Sequence, residues 1–205
     1  MLKIVQILVI LLQLLKKKEV DELIKSASAV KNHLAFIPEF CQYDRNGLSV
    51  YFESKSGDQL SSYLRKYIRY LLKVNMENHY GSEWLTEEKV KRREMIAPEA
   101  RYIIVRESSN AIFDDNAPKE DARTICWTGD GDRVVGFVHY RFVVEEDIPV
   151  VYVYELQLET FAQGRGLGKF LMQLVEFIAH KVGAEMSYEL LCKTFDSEAK
   201  AKLEV

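Results

Sequence analysis

The sequence predicts a mixed α/β or α+β domain in which helices flank a sheet. Helical segments come first, strand-like segments follow, and the last long strand leads through a glycine-rich turn into an amphipathic helix and a further strand. The length of 205 residues suits one domain with a hydrophobic core. The net charge of −3 argues against direct nucleic-acid binding, since proteins that bind nucleic acids usually carry a basic surface.

The N-terminus carries an apolar run from Ile4 to Leu15, followed by Lys16–Lys18. This run is shorter than the roughly 20 apolar residues that a membrane-spanning helix needs, so no membrane span is expected. We expect a helix of about 30 residues that packs on the domain or on a partner. A signal peptide fits less well, because charged residues separate the run from Ala27-Ser28-Ala29. An artefact at the start of the gene is a further alternative. The expected division is a helical segment at 1–35 and a domain at 36–205.

The first half of the chain alternates helical and turn signals. Apolar spacing and turn residues predict a helix at 17–32, a turn at Asn46–Gly47, a strand at Leu48–Glu53, a helix at Asp58–Val74 and a helix from a Thr86 cap to about Met95.

The second half is richer in strands. Composition and alternation predict strands at Arg101–Glu107, Arg133–Val144 and Val150–Leu158, a polar loop at Asp114–Asp132, a helix at Gly166–Val182 and a strand at Ser187–Lys193. Gly136 marks a bulge or a close approach of two strands. The polar tail at 195–205 carries no clear element.

The segment from Gln163 to Lys169 predicts an anion site. It holds Gly164, Gly166 and Gly168 directly after a strand and at the start of a helix. The free amides of a first helical turn bind phosphate, and glycine lets the phosphate approach the backbone. Arg165 and Lys169 add positive charge. A tight turn without a ligand is the structural alternative.

Other nucleotide and metal motifs do not fit. The glycine segment lacks the Gly-Lys-Ser/Thr ending of a Walker loop, and no acidic residue follows at the Rossmann distance. The three cysteines, Cys41, Cys126 and Cys192, have no metal-site spacing, and reduced thiols in an intracellular compartment are expected. The histidines share no spacing that indicates a metal site, so no metal is expected.

The pattern Gln163-x-x-Gly166-x-Gly168 resembles the coenzyme A motif of the GNAT superfamily of acyl-CoA N-acyltransferases. The resemblance implies a GNAT fold with a mostly antiparallel mixed sheet, and acetyl-CoA as cosubstrate. It also implies that the strand before the motif lies along the pantetheine arm and that the loop wraps the pyrophosphate. The implied cosubstrate-binding residues are Leu156, Gln157, Leu158, Gln163, Gly164, Arg165, Gly166, Leu167 and Gly168.

A narrower resemblance covers about residues 36–182. The strings YDRNGLSV (43–50), YGSEW (80–84), KRREM (91–95), YRF (140–142), YELQLE (154–159) and GLGKF (166–170) are similar to those of the N-terminal acetyltransferase D (NatD) family. That family acetylates the α-amino group of histone four and histone two-A, which begin Ser-Gly-Arg-Gly. The resemblance implies histone N-terminal tails as partners, a nuclear and cytoplasmic location and, by our expectation, a monomer.

The NatD resemblance also implies site residues. Tyr80 and Tyr154 match the selectivity filter, and Glu155 matches the carboxylate near the amine, so Glu155 and Tyr154 are the expected catalytic pair. Tyr152, Trp84 and Glu145 complete the expected peptide site, with Glu145 in an acidic rim that holds the substrate arginine. Each has a structural alternative: an ion-paired strand residue for Glu155, core packing for the aromatics and an exposed turn for Glu145.

The chain departs from the family at two places. Val143 stands where family members carry an acid, and the polar tail at 195–205 replaces the expected helix and closing strands. Three hypotheses therefore remain from the sequence. They are an active histone Nα-acetyltransferase, a C-terminally truncated form that binds acetyl-CoA with impaired catalysis, and a GNAT enzyme for another amine.

Overall fold

A sheet of six strands in sequence order forms the centre of the part that the computed structural model describes, which is residues 2–108 and 131–187. The strands are β1 (Gln42–Arg45), β2 (Leu48–Ser56), β3 (Arg101–Glu107), β4 (Val134–Glu145), β5 (Ile148–Leu158) and β6 (Glu185–Ser187). Neighbouring strands are antiparallel from β1 to β5, whereas β5 and β6 run parallel. The predicted mixed, mostly antiparallel sheet is confirmed.

Helices cover both faces of this sheet. They are α1 (Leu2–Ala29), α2 (Ser62–Tyr80), α3 (Trp84–Met95) and α4 (Leu167–Val182). Helices α1 and α4 pack on one face, where Ala27, Tyr140 and Ile178 belong to one buried cluster. Helices α2 and α3 pack on the other, where Leu64 and Phe137 belong to a second cluster. We refer to these as the α1/α4 face and the α2/α3 face.

Helix α1 differs between its two halves. Ala27 is buried and Ile24 packs on the core, so the second half belongs to the domain. In the first half, the apolar side chains of Val5 and of Ile7–Leu12 are between 47% and 58% exposed. The predicted long N-terminal helix is confirmed, and it packs on the domain only through its second half. Within the described residues, no helix is both long and apolar enough to cross a membrane.

Two helix starts differ from the predicted ones. Helix α2 begins at Ser62 rather than Asp58, because Ser56 and Gln59 form a capping box on a short 3-10 turn and Ser61 then caps α2 by accepting from the amide of Leu64. Helix α3 begins at Trp84 without a side-chain cap, so Thr86 lies inside the helix. The predicted Thr86 cap is therefore wrong, and the start of α2 lies four residues after the predicted one.

Glycine positions in the sheet agree with the sequence. Asn46 and Gly47 form the β1–β2 turn with φ of 55° and 69°, the backbone that this dipeptide favours. Gly136 allows a close approach, since a Cβ there would lie 2.7 Å from the carbonyl oxygen of Gln157. A register shift in the β3–β4 pair lies beside it, between Val105 and Arg106. Both predicted features are therefore present.

Several predicted segments lie wholly or mostly outside the described residues. These are the polar loop at 114–132, apart from its last two residues, the strand at 187–193 beyond Ser187, and the tail at 195–205. Cys126 and Cys192 also lie there, while Cys41 is a free thiol.

Candidate active site

A cleft of about 1070 Å³ opens on the α2/α3 side of the sheet, where β5 leads into the glycine segment and α4. This volume is slightly above the usual range for small-molecule sites, about 300–1,000 Å³. Three parts of the fold line it: the C-terminal end of α2 with one residue of α3, the second half of β5, and the glycine segment with the start of α4. The lining residues include Asn75, His79, Tyr80, Lys91, Val153–Leu158, Gln163, Gly164, Gly166, Gly168 and Lys169.

A β-bulge in β5 controls which side chains reach the cleft. His139 of β4 pairs with Glu155, but the next residue, Tyr140, pairs with Val153, so Tyr154 is the extra residue on the bulged strand. Val153 and Leu156 on either side of the bulge both belong to the core of the α1/α4 face. Tyr154 and Glu155 therefore both project to the α2/α3 face, although consecutive strand residues normally point to opposite faces.

Glu155 lies at the centre of a polar network. One carboxylate oxygen forms an ion pair with the Lys91 ammonium of α3, and the two side chains are only 10% and 12% exposed. The other oxygen accepts a hydrogen bond from Nε2 of Gln157 at 3.0 Å. The Gln157 Oε1 in turn accepts from Nδ2 of Asn75 at 2.9 Å. Glu155 is thus a buried carboxylate with both oxygens engaged by groups of the fold.

Tyr154 is held by ring contacts. Its ring stacks on His139 with centroids 5.0 Å apart, and His139 stacks on Tyr102 at 4.8 Å. The guanidinium carbon of Arg141 lies 4.6 Å from the centroid of the Tyr154 ring. Burial is the main cause that lowers the pKa of His139, to about 3, so this imidazole is neutral at physiological pH. The stack of Tyr102, His139 and Tyr154 therefore fixes the orientation of Tyr154, and the imidazole in it carries no charge.

The glycine segment has the geometry of an anion site. Gly166 precedes α4 with φ of 83° and no side-chain cap, and the first backbone bond of the helix runs from the Phe170 amide to the Gly166 carbonyl at 3.1 Å. The amides of the first turn therefore have no partner within the helix. Nothing within 4 Å meets a Cβ built on Gly164, and one on Gly168 meets only leucine methyl groups at 3.9 and 4.0 Å. This open backbone suits a pyrophosphate.

The family model that describes the acetyltransferase (GNAT) family matches residues 75–201, more than half of the 205-residue chain. The chain belongs to the GNAT acetyltransferase family. The matched region begins at the end of α2 and contains the bulge, Glu155 and the glycine segment, all of which contribute to the described cleft.

Solved structures of acetyltransferases align with this GNAT chain at low identity. A possible acetyltransferase from Clostridium difficile 630 is 12% identical, with TM-score 0.44, over 76% of this chain and 87% of that one. A ribosomal-protein-alanine N-acetyltransferase from Brucella melitensis biovar Abortus 2308 is 12% identical, with TM-score 0.41, over 76% and 88%. AAC(6')-Iy, solved with a CoA-containing bisubstrate analogue, is 14% identical, with TM-score 0.42, over 75% and 87%. The family assignment depends on the family model and not on these alignments.

The cleft brings together most residues that the sequence singles out. Glu155, Tyr154 and Tyr80 all line it, and the Lys91 ammonium, 5.5 Å from the centroid of the Tyr80 ring, connects Tyr80 to Glu155. The predicted cosubstrate-binding residues that line it are Leu156, Gln157, Leu158, Gln163, Gly164, Gly166 and Gly168. The Gln163 side chain contacts the protein itself, because its Nε2 donates a hydrogen bond to the Leu158 carbonyl at 2.9 Å.

Three predicted peptide residues lie outside the described cleft lining. Trp84 is 3% exposed in the protein interior, with its ring 6.1 Å from that of Tyr80. Tyr152 packs edge-on against Tyr154 at 5.0 Å, further from the glycine segment. Glu145 is exposed at the β4–β5 turn, where Glu146 and Asp147 have positive φ. Because Glu145 pairs with Ile148, seven positions before Glu155 on β5, Glu145 lies on the order of 20 Å from Glu155. Contacts of these three residues with a peptide remain predictions.

Arg165 and Leu167 do not present their side chains to the cleft, which corrects the expected charge contribution of Arg165. The Arg165 guanidinium donates to the carbonyls of Phe161 at 2.7 Å and Asn46 at 2.9 Å, so it ties the loop to the β1–β2 turn. The Arg165 carbonyl accepts from the Tyr43 hydroxyl at 2.6 Å. Leu167 is fully buried on the α1/α4 face. Only Lys169 of the two predicted basic residues lines the cleft.

Sequence reasoning missed Lys91, Asn75 and His139 as site residues. For Lys91 a signal exists: it follows Trp84 by seven residues and precedes Met95 by four, and both of these are buried on α3. A lysine on the buried stripe of a helix indicates a buried partner.

Within the described residues, no group of three or more His, Cys, Asp or Glu side chains is arranged to hold a metal ion.

Proposed function

We propose that this GNAT acetyltransferase acetylates the α-amino group of a protein N-terminus, and that histone tails beginning Ser-Gly-Arg-Gly are its substrate. The observation that carries the proposal is the bulge that presents Tyr154 and Glu155 side by side in the cleft with Tyr80. Two tyrosines and a carboxylate line the part of the cleft that we assign to the N-terminal residue and its amine. The NatD-like strings of the sequence support the histone start.

The chemistry requires a neutral amine and an acceptor for its second proton. A free α-amino group has a pKa near 8, so a base of modest strength suffices at physiological pH. Glu155 pairs with Lys91, and it is the acidic side chain among the described cleft residues. In the proposed role it accepts the proton from the attacking amine, directly or through a water molecule. Tyr154, fixed by its stack, contacts the N-terminal residue.

Acetyl-CoA fits the other end of the cleft. When bound, it supplies the thioester whose carbonyl carbon receives the amine. The open backbone at Gly164 and Gly168, the cleft-lining backbone of Gly166 and the Lys169 side chain would hold its pyrophosphate. Leu156, Gln157 and Leu158 of β5 would border its pantetheine arm.

A GNAT enzyme for another amine is the second candidate. The charged side chains that line the described cleft are Lys91, Glu155 and Lys169, so this lining offers no spare carboxylate for the arginine of a Ser-Gly-Arg-Gly tail. Val143 replaces the family's acid, and Glu145 lies at a distant turn. This observation favours a substrate without a basic third residue.

The first experiment measures acetyl transfer from acetyl-CoA to a Ser-Gly-Arg-Gly-Lys peptide. Wild type is compared with Glu155→Gln, which keeps the size of the side chain and one acceptor oxygen but removes the base. Glu176→Gln is the control, since Glu176 is an exposed glutamate on α4. The expected result is a loss of about 100-fold or more in kcat for Glu155→Gln and no change for Glu176→Gln. A peptide with a blocked N-terminus should not react.

Three other outcomes would replace the proposal. Transfer to a Ser-Gly-Ala-Gly or unrelated peptide, but not to Ser-Gly-Arg-Gly, would establish the second candidate. Acetylation of the blocked peptide at its lysine would place the reaction on a side-chain amine. Folded protein that binds CoA and acetylates no amine would be a CoA-binding form without catalysis. We also propose that the protein is a monomer and that it works in the nucleus and the cytoplasm.

A further inference from the structure

Lys91 is a buried cation that contacts the proposed base. Its side chain is 12% exposed, its ammonium pairs with Glu155, and it also lies over the ring of Tyr80. The second oxygen of Glu155 is taken by Gln157. A substrate amine that approaches Glu155 therefore meets a carboxylate that already has a partner of full positive charge.

The surroundings keep Lys91 charged. Burial is the largest influence and lowers the pKa of Lys91, but the adjacent Glu155 carboxylate, with a smaller contribution from Tyr80, outweighs it and raises the pKa above its ordinary value. Titratable and charged groups of the described residues surround Lys91 on four elements. They are His79 and Tyr80 of α2, His139 and Arg141 of β4, Tyr154 and Glu155 of β5, and Glu94 of its own helix α3. Of these, Arg141 is also cationic, and its Nη2 donates to the Glu94 carbonyl.

The charge beside an amine decides its protonation state. A buried carboxylate alone would stabilise the ammonium form of the substrate, which has no lone pair and cannot attack a thioester. A neighbouring cation has the opposite effect and favours the neutral amine, as it does for activated lysine nucleophiles. With Lys91 in place, the Glu155–Lys91 pair has no net charge, and the ammonium penalises a second cation beside it.

We propose that Lys91 is a positioning residue that cancels the charge of Glu155, so that the cleft selects the substrate amine in its neutral, nucleophilic form. The inference rests on the proposed amine acetylation. It adds to that function a residue, Lys91, that makes the cleft discriminate between a neutral and a protonated amine. Glu155 can then accept the proton that the amine loses as the new C–N bond forms and the C–S bond breaks.

The test compares Lys91→Gln with Lys91→Arg. Glutamine removes the charge and can still donate a hydrogen bond to Glu155, whereas arginine keeps the charge. Transfer to the peptide is measured between pH 6 and pH 10. We expect Lys91→Gln to lower kcat about tenfold at pH 7, to lower or leave unchanged the KM for the peptide, and to move the midpoint of the kcat profile up by about one pH unit. Lys91→Arg should keep the wild-type midpoint.

Proton counting gives a readout that does not depend on turnover. Calorimetry of peptide binding to the CoA complex at pH 8 is run in two buffers with different ionisation heats. The wild-type complex should release up to about half a proton per peptide, because an α-amine is roughly half protonated at this pH in water. The Lys91→Gln complex should take up protons instead. CoA binding by each variant verifies that it is folded.

Two results would overturn the role of Lys91 and leave the proposed function intact. The first is an active wild type whose Lys91→Gln variant keeps the same pH midpoint, and the second is equal proton release by the two proteins. An equal fall in kcat at every pH would show that Lys91 only supports the fold. A wild type that acetylates no amine would instead end the proposed function, and this role with it.

Discussion

The two faces of the sheet each bury one histidine, and they do so differently. His33, on the α1/α4 face, is fully buried with both ring nitrogens partnered: Nε2 lies 2.9 Å from the Ala27 carbonyl and Nδ1 lies 3.1 Å from the Tyr140 hydroxyl. Because a carbonyl only accepts, Nε2 carries the proton and Nδ1 accepts from Tyr140. His139, on the α2/α3 face, is stacked between two tyrosine rings, and its Nε2 has no hydrogen-bond partner within the described residues.

The two faces also differ in the polarity of their other buried side chains. The α1/α4 face is a continuous cluster of apolar side chains from the sheet, α1 and α4. The α2/α3 face has a smaller apolar cluster, and beyond it lie the Lys91–Glu155 pair and the Gln157–Asn75 hydrogen bond. Polar groups that satisfy one another inside a protein cost desolvation energy, so they are retained where they serve a site. The comparison assigns the polar groups beside the proposed base to the α2/α3 face, while the α1/α4 face is mainly apolar core and adds Leu156 and Leu158 to the cleft lining.

Two neighbouring isoleucines test this division directly. Ile103 and Ile104 are adjacent on β3 and fully buried, but Ile103 belongs to the α1/α4 cluster and Ile104 to the α2/α3 cluster. Replacing either by alanine should lower the free energy of unfolding by about 2–5 kcal/mol, because each change leaves a cavity. Urea denaturation at pH 7.5 measures both losses.

The same two variants should differ in activity. At a temperature where both remain folded, Ile103→Ala should keep a near-native kcat/KM. Ile104→Ala should lower it severalfold, because the α2/α3 cluster supports the helices that carry Tyr80 and Lys91. Equal kcat/KM values for the two variants would refute the division of labour between the faces.

The pH dependence of stability should come from both histidines. Burial lowers the pKa of His33 to about 4 and that of His139 to about 3, against about 6.5 in the unfolded chain. As pH falls, the unfolded chain binds these protons first, so stability is complete above pH 6.5 and declines below it. At pH 5 the loss should be roughly 2 kcal/mol for each histidine.

Single substitutions separate the two contributions. His33→Gln and His139→Phe should each remove about half of the stability change between pH 7.5 and pH 5, measured by urea denaturation at both pH values. Phenylalanine keeps the stack with Tyr102 and Tyr154, so His139→Phe should also keep most of the activity. A wild type with equal stability at the two pH values would show that neither histidine is held neutral in the fold.

Local signals in the sequence predicted much of the fold. The bounds of β3 agree with the prediction at both ends, and α4 begins one residue after its predicted start at Gly166. The turn at Asn46–Gly47 was also predicted, because its positive φ values follow from the residues themselves. Such features depend on neighbouring residues in the chain, so periodicity and turn chemistry are enough to locate them.

The site depended on information that is not local. Glu155 could be selected from its string, but the bulge that turns Tyr154 and Glu155 to one face follows from the pairing of β4 with β5. Lys91 meets Glu155 across 64 positions of sequence, and only the packing of α3 on the sheet brings them together. For the same reason, Arg165 was expected at the phosphate although its side chain binds the β1–β2 turn.

Arg165 provides the last and smallest test, at the loop where the two faces meet. Arg165→Met removes hydrogen bonds to the carbonyls of Phe161, Asn46 and Gly47 and should loosen the glycine segment. We expect the Kd for CoA to rise about fivefold, the effect of roughly 1 kcal/mol in hydrogen bonding, with kcat unchanged at saturation. The measurement is CoA binding at 50 and 500 mM salt, with Lys169→Met as the matched variant. Lys169 lines the cleft, so its loss should reduce the salt dependence of binding, whereas Arg165→Met should leave that dependence unchanged. A reduced salt dependence in Arg165→Met would mean that its guanidinium turns to the phosphates when CoA binds, and that the loop is rebuilt rather than preformed.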